Sequence, residues 1–176
     1  MLFHMEEKVR IITNRFYIRD LEEKDVSYDY LSWLRDSNVG RWIETAQELQ
    51  TLQDLRVYVR NKYYSTNCEF FGIFERLTNR HIGNIKYEPI SLTFNGAVMG
   101  VLLGNPEYRG KGVFGEIFEP SSQIIRTKYG IRRIYLGVDN KNKSALRAYE
   151  KCGFCPANLT SEEKNRFGAV SLIRQI

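Results

Sequence analysis

No apolar run in this 176-residue chain is long enough to cross a bilayer. Its opening stretch, MLFHMEEKVR, carries two glutamates and no apolar centre, so no secretory signal is expected. Cysteine is scarce: Cys68, Cys152 and Cys155 make an odd set of 3, a poor disulfide framework. These absences together predict a cytoplasmic protein with no membrane partner. Cys152-x-x-Cys155 is half of a zinc motif with no second half, so no metal is expected. There is no internal repeat, no low-complexity tract and no Pro/Ser-rich linker. One domain over 1–176 is the expectation, with residues 1–12 loosely ordered.

Aromatic residues are plentiful, at 13% with 11 Tyr and 10 Phe, and imply a well-filled core. The net charge is +5, spread along the chain. Its densest patch, Arg126 to Arg133, reads as a basic helix end rather than a nucleic-acid surface, because cations are favoured where a helix terminates.

Periodicity predicts a strand over Arg15 to Leu21, then a helix carrying Val26, Tyr30, Leu31 and Leu34, capped by Asp25 or Ser27. Thr51-x-x-Asp54 approximates a capping box for a second helix with a stripe of Leu52, Leu55, Val59 and Tyr63. Between them, Val39 to Gln50 reads as a loop or broken helix. Three strands follow at 69–75, 81–90 and 97–104, joined by a Thr78-Asn79 turn and an Asn95-Gly96 hairpin. A helix is predicted over Gly115 to Tyr129, with a kink or break at Pro120. A short strand at 134–138, a helix from Ser144 to Cys152 stopped by Gly153, and a strand at 169–176 complete the order. The pattern is a mixed α/β domain: an antiparallel meander plus one βαβ crossover.

Residues 105–116, NPEYRGKGVFGE, join a strand to a helix. A helix start has unpartnered N–H groups and a positive dipole end, so it suits an anion. Gly110, Gly112 and Gly115 let phosphate oxygens approach bare backbone, and Arg109 and Lys111 add charge. The stretch is not a P-loop, since Gly112 rather than Ser or Thr follows the lysine. Alone, the spacing is equally that of a tight turn.

Residues 139–154, DNKNKSALRAYEKCGF, supply a second motif. Arg-Gly-Lys-Gly opening a helix, followed by Asn142, Ala145, Tyr149, Gly153 and Phe154, resembles the GNAT superfamily of acyl-CoA-dependent N-acetyltransferases. HIGNIK (81–86) and the RFYIRDLEEKDVSYDYLSWLRD segment resemble the branch holding ribosomal-protein N-terminal acetyltransferases and nucleotide-aminosugar acetyltransferases. The resemblance covers about Arg15 to Phe154. It implies a GNAT-like fold, with a mostly antiparallel twisted sheet, helices on both faces and a splayed parallel pair of strands.

It further implies acetyl-CoA as co-substrate. The loop of Arg109, Gly110, Lys111, Gly112, Val113, Phe114 and Gly115 would hold its pyrophosphate. Val101, Leu102 and Leu103 would pair with the pantetheine arm, with Asn142, Ala145 and Lys151 nearby. Tyr149 would protonate the leaving thiolate. Read without the motif, Tyr149 is a core aromatic and Asn142 a helix cap. Two departures stand out: Phe114 replaces the usual Gly or Ala and is expected to narrow the pocket, and residues 155–170 do not match the usual closing hairpin.

The acceptor is expected to be a small primary amine such as a nucleotide-linked aminosugar, partly from the Trp42 and Glu44 loop. The alternatives are a protein N-terminus and a degenerate CoA-binding module. Glu88, Glu75 and His81 are candidate bases, with His81 otherwise a surface residue beside a turn. Splayed edges in such folds pair between protomers, which leaves a homodimer open.

Overall fold

The computed structural model describes residues 11–37, 43, 46, 48–49 and 51–176. Trp42, Glu44 and most of the predicted loop around them lie outside the described residues, as do residues 1–10. Strands β1 (Ile11–Ile12), β2 (Phe16–Asp20), β3 (Glu69–Glu75), β4 (His81–Ser91) and β5 (Gly96–Leu103) form an antiparallel meander. It is completed by β6 (Arg133–Leu136), β7 (Cys155–Pro156) and β8 (Leu172–Gln175), giving the order β1-β2-β3-β4-β5-β6-β8-β7. Among the described residues, only β5 and β6 run parallel. Ile11–Ile12 therefore belong to the sheet, although looseness is expected there from sequence.

The helices are α1 (Tyr28–Arg35), α2 (Leu52–Tyr63), α3 (Val113–Tyr129), α4 (Lys143–Lys151) and α5 (Ser161–Phe167). Ser27, not Asp25, caps α1: its hydroxyl accepts from the Tyr30 N–H at 3.1 Å. The Thr51–Asp54 capping box is complete. Asn79 and Asn95 take positive φ at the two meander turns, where a short polar side chain tolerates the left-handed region. Gly96 is already the first residue of β5.

Pro120 does not break α3. It offers no N–H to the fourth preceding carbonyl, but burial holds the helix: Ile117, Phe118, Ser121 and Ile125 are all at 1% exposure or less. Next to the proline, Ser121 and Ser122 donate back to the Phe118 and Glu119 carbonyls at 2.9 Å each. Ser121 also meets the Tyr87 hydroxyl at 2.7 Å and ties α3 to β4.

One face of the sheet packs Ile85, Tyr87, Met99 and Ile134 under α3 and α4. The other packs Leu21, Phe70 and Leu102 under α1 and α2. Each fully buried aliphatic or aromatic side chain contributes roughly 1.5–3 kcal/mol. Residues 155–170 depart from a simple hairpin because α5 is inserted. Glu163 binds Arg133 at 2.9 Å, and Phe167 stacks on Tyr135 with ring centroids 4.6 Å apart. No helix among the described residues is long and apolar enough to cross a membrane.

Candidate active site

The β5–β6 ladder is short. It pairs Gly96, Ala97 and Val98 with Arg133, Ile134 and Tyr135 and then stops. Met99 to Leu103 continue along β4 with no β6 partner. On that side the Leu103 carbonyl is taken by the Arg109 guanidinium, while the backbone of Val101 has no strand partner among the described residues and can pair with an extended ligand. Val101 and Leu103 point to the core under α3 and α4, and Leu102 to the opposite core.

Beyond β5, Asn105 caps a turn of 3₁₀ helix over Pro106–Tyr108, its side-chain oxygen accepting the Glu107 N–H at 3.0 Å. The chain then reverses through two left-handed glycines, Gly110 at φ 71° and Gly112 at φ 72°. A side chain would be strained at both. A Cβ on Gly110 would meet nothing within 4 Å, so the bare backbone borders open space. Helix α3 starts at Val113, two residues earlier than expected. Its cap, Gly112, has no side chain to fill the first turn. The N–H groups of Val113, Phe114 and Gly115 therefore have no intrahelical acceptor and lie at the positive end of a 17-residue helix. A pyrophosphate fits this set of donors.

Two struts hold the loop. Arg109 donates to the Leu103 carbonyl at 3.0 Å and the Gly104 carbonyl at 2.5 Å, and pairs with Asp36 at 2.9 Å. Arg15 donates to the Lys111 carbonyl at 3.0 Å and pairs with Glu116 at 2.7 Å. Arg109 thus shapes the loop, while the exposed Lys111 keeps its ammonium at the surface. Arg15 and Asp36 had no signal in the sequence, because each acts across a long chain separation.

Phe114 does not project into the loop. At 5% exposure it stacks on Phe118 and meets Tyr149 and Phe154. The expectation that it narrows the pocket is therefore corrected: its ring is committed to the core. Tyr149 is half-buried at the edge of that cluster, and burial pushes its phenol up to about 12. Its hydroxyl has no hydrogen-bond partner among the described residues.

Asn142 caps α4, its side-chain oxygen accepting the Ala145 N–H at 3.2 Å. Ala145 is half-buried. Lys151 is exposed beside a groove shared with Gly115, Cys152 and Arg174.

The three candidate bases differ. Burial holds His81 below its ordinary pKa, against an opposing bond to Asn84, and its ring is enclosed by Tyr30, Trp33 and Phe74. The surface placement expected for it is corrected: neighbours from α1 and β3 close over it. Glu75 accepts from the Thr78 hydroxyl at 2.5 Å in the turn after β3. Glu88 is held between Lys62 at 2.7 Å and Lys86 at 2.9 Å. Burial acts to raise its pKa, but these two bonds keep it below the usual value and make it a weak base.

Residues 15–155 match the acetyltransferase (GNAT) domain family. The spermidine N(1)-acetyltransferase of Vibrio cholerae serotype O1 is 24% identical over 153 residues, which is 86% of each chain. Among solved structures, the Vibrio cholerae spermidine N-acetyltransferase in complex with CoA and spermine superposes with a TM-score of 0.75 at 20% identity, covering 92% of this chain and 95% of that one. RimL, a ribosomal L7/L12 alpha-N-protein acetyltransferase in complex with coenzyme A, gives 0.79 at 15% identity, covering 96% and 98%. The solved structures match the fold, and the family match spans most of the chain. The chain belongs to the acetyltransferase (GNAT) domain family and is an acetyl-CoA-dependent N-acetyltransferase.

Proposed function

We propose that this acetyltransferase acts by direct attack of a small primary amine, such as a nucleotide-linked aminosugar, with the loop after β5 as its CoA cradle. The observation that carries the reading is the end of the β5–β6 ladder at Val98 and Tyr135, on the strand that leads into the doubly left-handed glycine loop. An acyl-CoA needs both features: an unpaired strand edge for its amide-bearing arm and a bare helix start for its pyrophosphate.

Acetyl-CoA supplies an activated acetyl thioester. The chain's residues position and protonate. Backbone N–H groups of Val113, Phe114 and Gly115, with Lys111, hold the pyrophosphate. The edge of β5 at Val101, flanked by Leu102 and Leu103, aligns the arm, and a backbone N–H there faces the carbonyl oxygen where negative charge develops. Tyr149 holds a proton for the departing sulfur. Its high pKa keeps that proton in place at neutral pH, and the same apolar surroundings raise the basicity of a thiolate. Asn142 and Ala145 shape the start of α4, and Lys151 stands at its exposed end.

A small acceptor is supported by the spermidine enzyme among the relatives. A protein N-terminus is the second reading, supported by the likeness to RimL. Calorimetry with acetyl-CoA on the wild type and Gly112→Glu tests the cradle: tight wild-type binding lost in the variant is expected, and no wild-type binding overturns the reading. A turnover screen over free amines and peptides then separates the acceptors. Turnover with peptides alone moves the assignment to the protein N-terminus.

A further inference from the structure

Gly100 lies in the middle of β5, two residues beyond the last β6 pair. Although it sits inside an 8-stranded sheet, it is exposed, and a Cβ there would meet nothing within 4 Å. The face under α1 and α2 therefore has a window where β5 and β6 separate. The opposite face is filled by the core that contains Tyr149. An amine approaching the free edge of β5 away from Tyr149 comes through this window.

The residue directly across from Gly100 on β4 is Lys86. Its ammonium donates to the Tyr58 hydroxyl and to Glu88, at 2.9 Å each. The other Glu88 oxygen accepts from Lys62 at 2.7 Å. Both ammonium groups also lie over the Tyr58 ring, 5.4 Å and 5.5 Å from its centroid. The three charged side chains are each 20–25% exposed, so they are partly shielded from solvent.

Among the described residues, the balance is two cations against one carboxylate whose two oxygens are already engaged. An ammonium has three donors. Lys86 has one left and Lys62 has two. A second anion completes this cluster, whereas a third cation meets repulsion.

Several other charges on the described residues are already matched. Arg133 pairs with Glu163 at 2.9 Å. In the groove beside Trp33 and Gly104, Asp36 is held by Arg109 at 2.9 Å and Glu107 by Arg80 at 2.7 Å.

We propose that Lys86, seated by Tyr58 and Glu88, determines acceptor specificity, and that the acceptor is an amine that also carries a carboxylate or phosphate rather than a polyamine. This deepens the acetyl-transfer reading and rests on it for the use of the bound amine. It separates the chain from its spermidine-acting relatives in substrate charge.

The test compares matched amines with and without the anion: phosphoethanolamine against ethanolamine, and β-alanine against propylamine, with spermidine as the polycation. Binding to the full chain is measured by calorimetry with and without CoA, and turnover with acetyl-CoA. At least one anionic amine is expected to exceed its neutral partner by about tenfold or more. Which pair shows the larger gap tells phosphate from carboxylate.

Lys86→Met keeps the length of the stem, and it is expected to bring that ratio close to one while acetyl-CoA binding stays unchanged. Lys86→Glu, checked for folding by its thermal melt, is expected to favour spermidine. Spermidine equal to or better than both anionic amines in the wild type overturns the proposal. So does a ratio that survives Lys86→Met, or no anionic amine binding at all. If anionic amines bind through Lys86 but acetyl-CoA does not bind, the anion site stands and the acetyl-transfer reading is the one that fails.

Discussion

Phe114 meets Tyr149 edge to face, with ring centroids 5.0 Å apart and planes at 86°. The residue that departs from the family's usual Gly or Ala thus supports the tyrosine proposed for proton transfer. Phe114→Ala is expected to cost about 3–5 kcal/mol of stability, because it empties a buried aromatic position. It should also lower kcat by loosening Tyr149, with a smaller effect on acetyl-CoA affinity. Denaturant unfolding and calorimetry check this. A marked gain in acetyl-CoA affinity would show instead that the ring obstructs the cradle.

Tyr149→Phe separates catalysis from packing. The lost hydroxyl has no partner among the described residues, so stability should change by less than about 0.5 kcal/mol. The rate should fall on the order of 10²-fold with acetyl-CoA binding retained.

The pH profile follows from the same group. With its phenol raised to about 12, Tyr149 stays protonated through neutral and mildly alkaline pH. The rate of the wild type should therefore climb with pH as the acceptor amine loses its proton, with no falling limb from Tyr149 below about pH 11. A falling limb between pH 8 and 10, absent in Tyr149→Phe, would count against this, where those limits are roughly the range of ordinary thiol and phenol ionisation.

Glycine substitutions should have opposite signs at two nearby positions. Gly110→Ala forces a side chain into a left-handed conformation at φ 71° and is expected to cost about 1–2 kcal/mol. Gly115 has helical backbone, and a Cβ there meets only Cys152 Sγ at an ordinary 3.9 Å. Gly115→Ala is expected to be neutral or to stabilise by up to ~1 kcal/mol. Thermal melts of both variants suffice.

Glu116 should make the junction of β2 and α3 sensitive to acid. Burial acts to raise its pKa, but the Arg15 N–H, the Thr13 hydroxyl and the Arg15 guanidinium together hold it below its usual 4.5. A carboxylate depressed on folding stabilises fully above its unfolded pKa, and that stabilisation is lost as pH falls through the folded value. The stability gap between wild type and Glu116→Gln should thus be widest near neutrality and close below about pH 4.5. A gap independent of pH would exclude a charge-based role.

Local chemistry made much of the fold readable. The Thr51–Asp54 box, the left-handed asparagines and the period-two strands act within a few residues, so a linear reading finds them. The break foreseen at Pro120 does not occur, because propensity counts only the lost hydrogen bond, whereas burial of Ile117, Phe118 and Ile125 outweighs it. Helix α5 was missed because its seven residues are short and polar, and it is anchored mainly through Arg133 and Tyr135, about 30 residues back in the chain.

The order of elements from β2 to α4, the glycine loop at a helix start and the Tyr149 motif were determined by the sequence alone, since backbone conformation and capping depend on adjacent residues. Tertiary structure decided which charges remain available. Arg109, the most conspicuous loop cation, is spent on Leu103, Gly104 and Asp36, and Lys86, unremarkable in sequence, stands opposite the open Gly100. The physical reason is that an ion's role is set by its neighbours in space, and those neighbours come from distant parts of the chain.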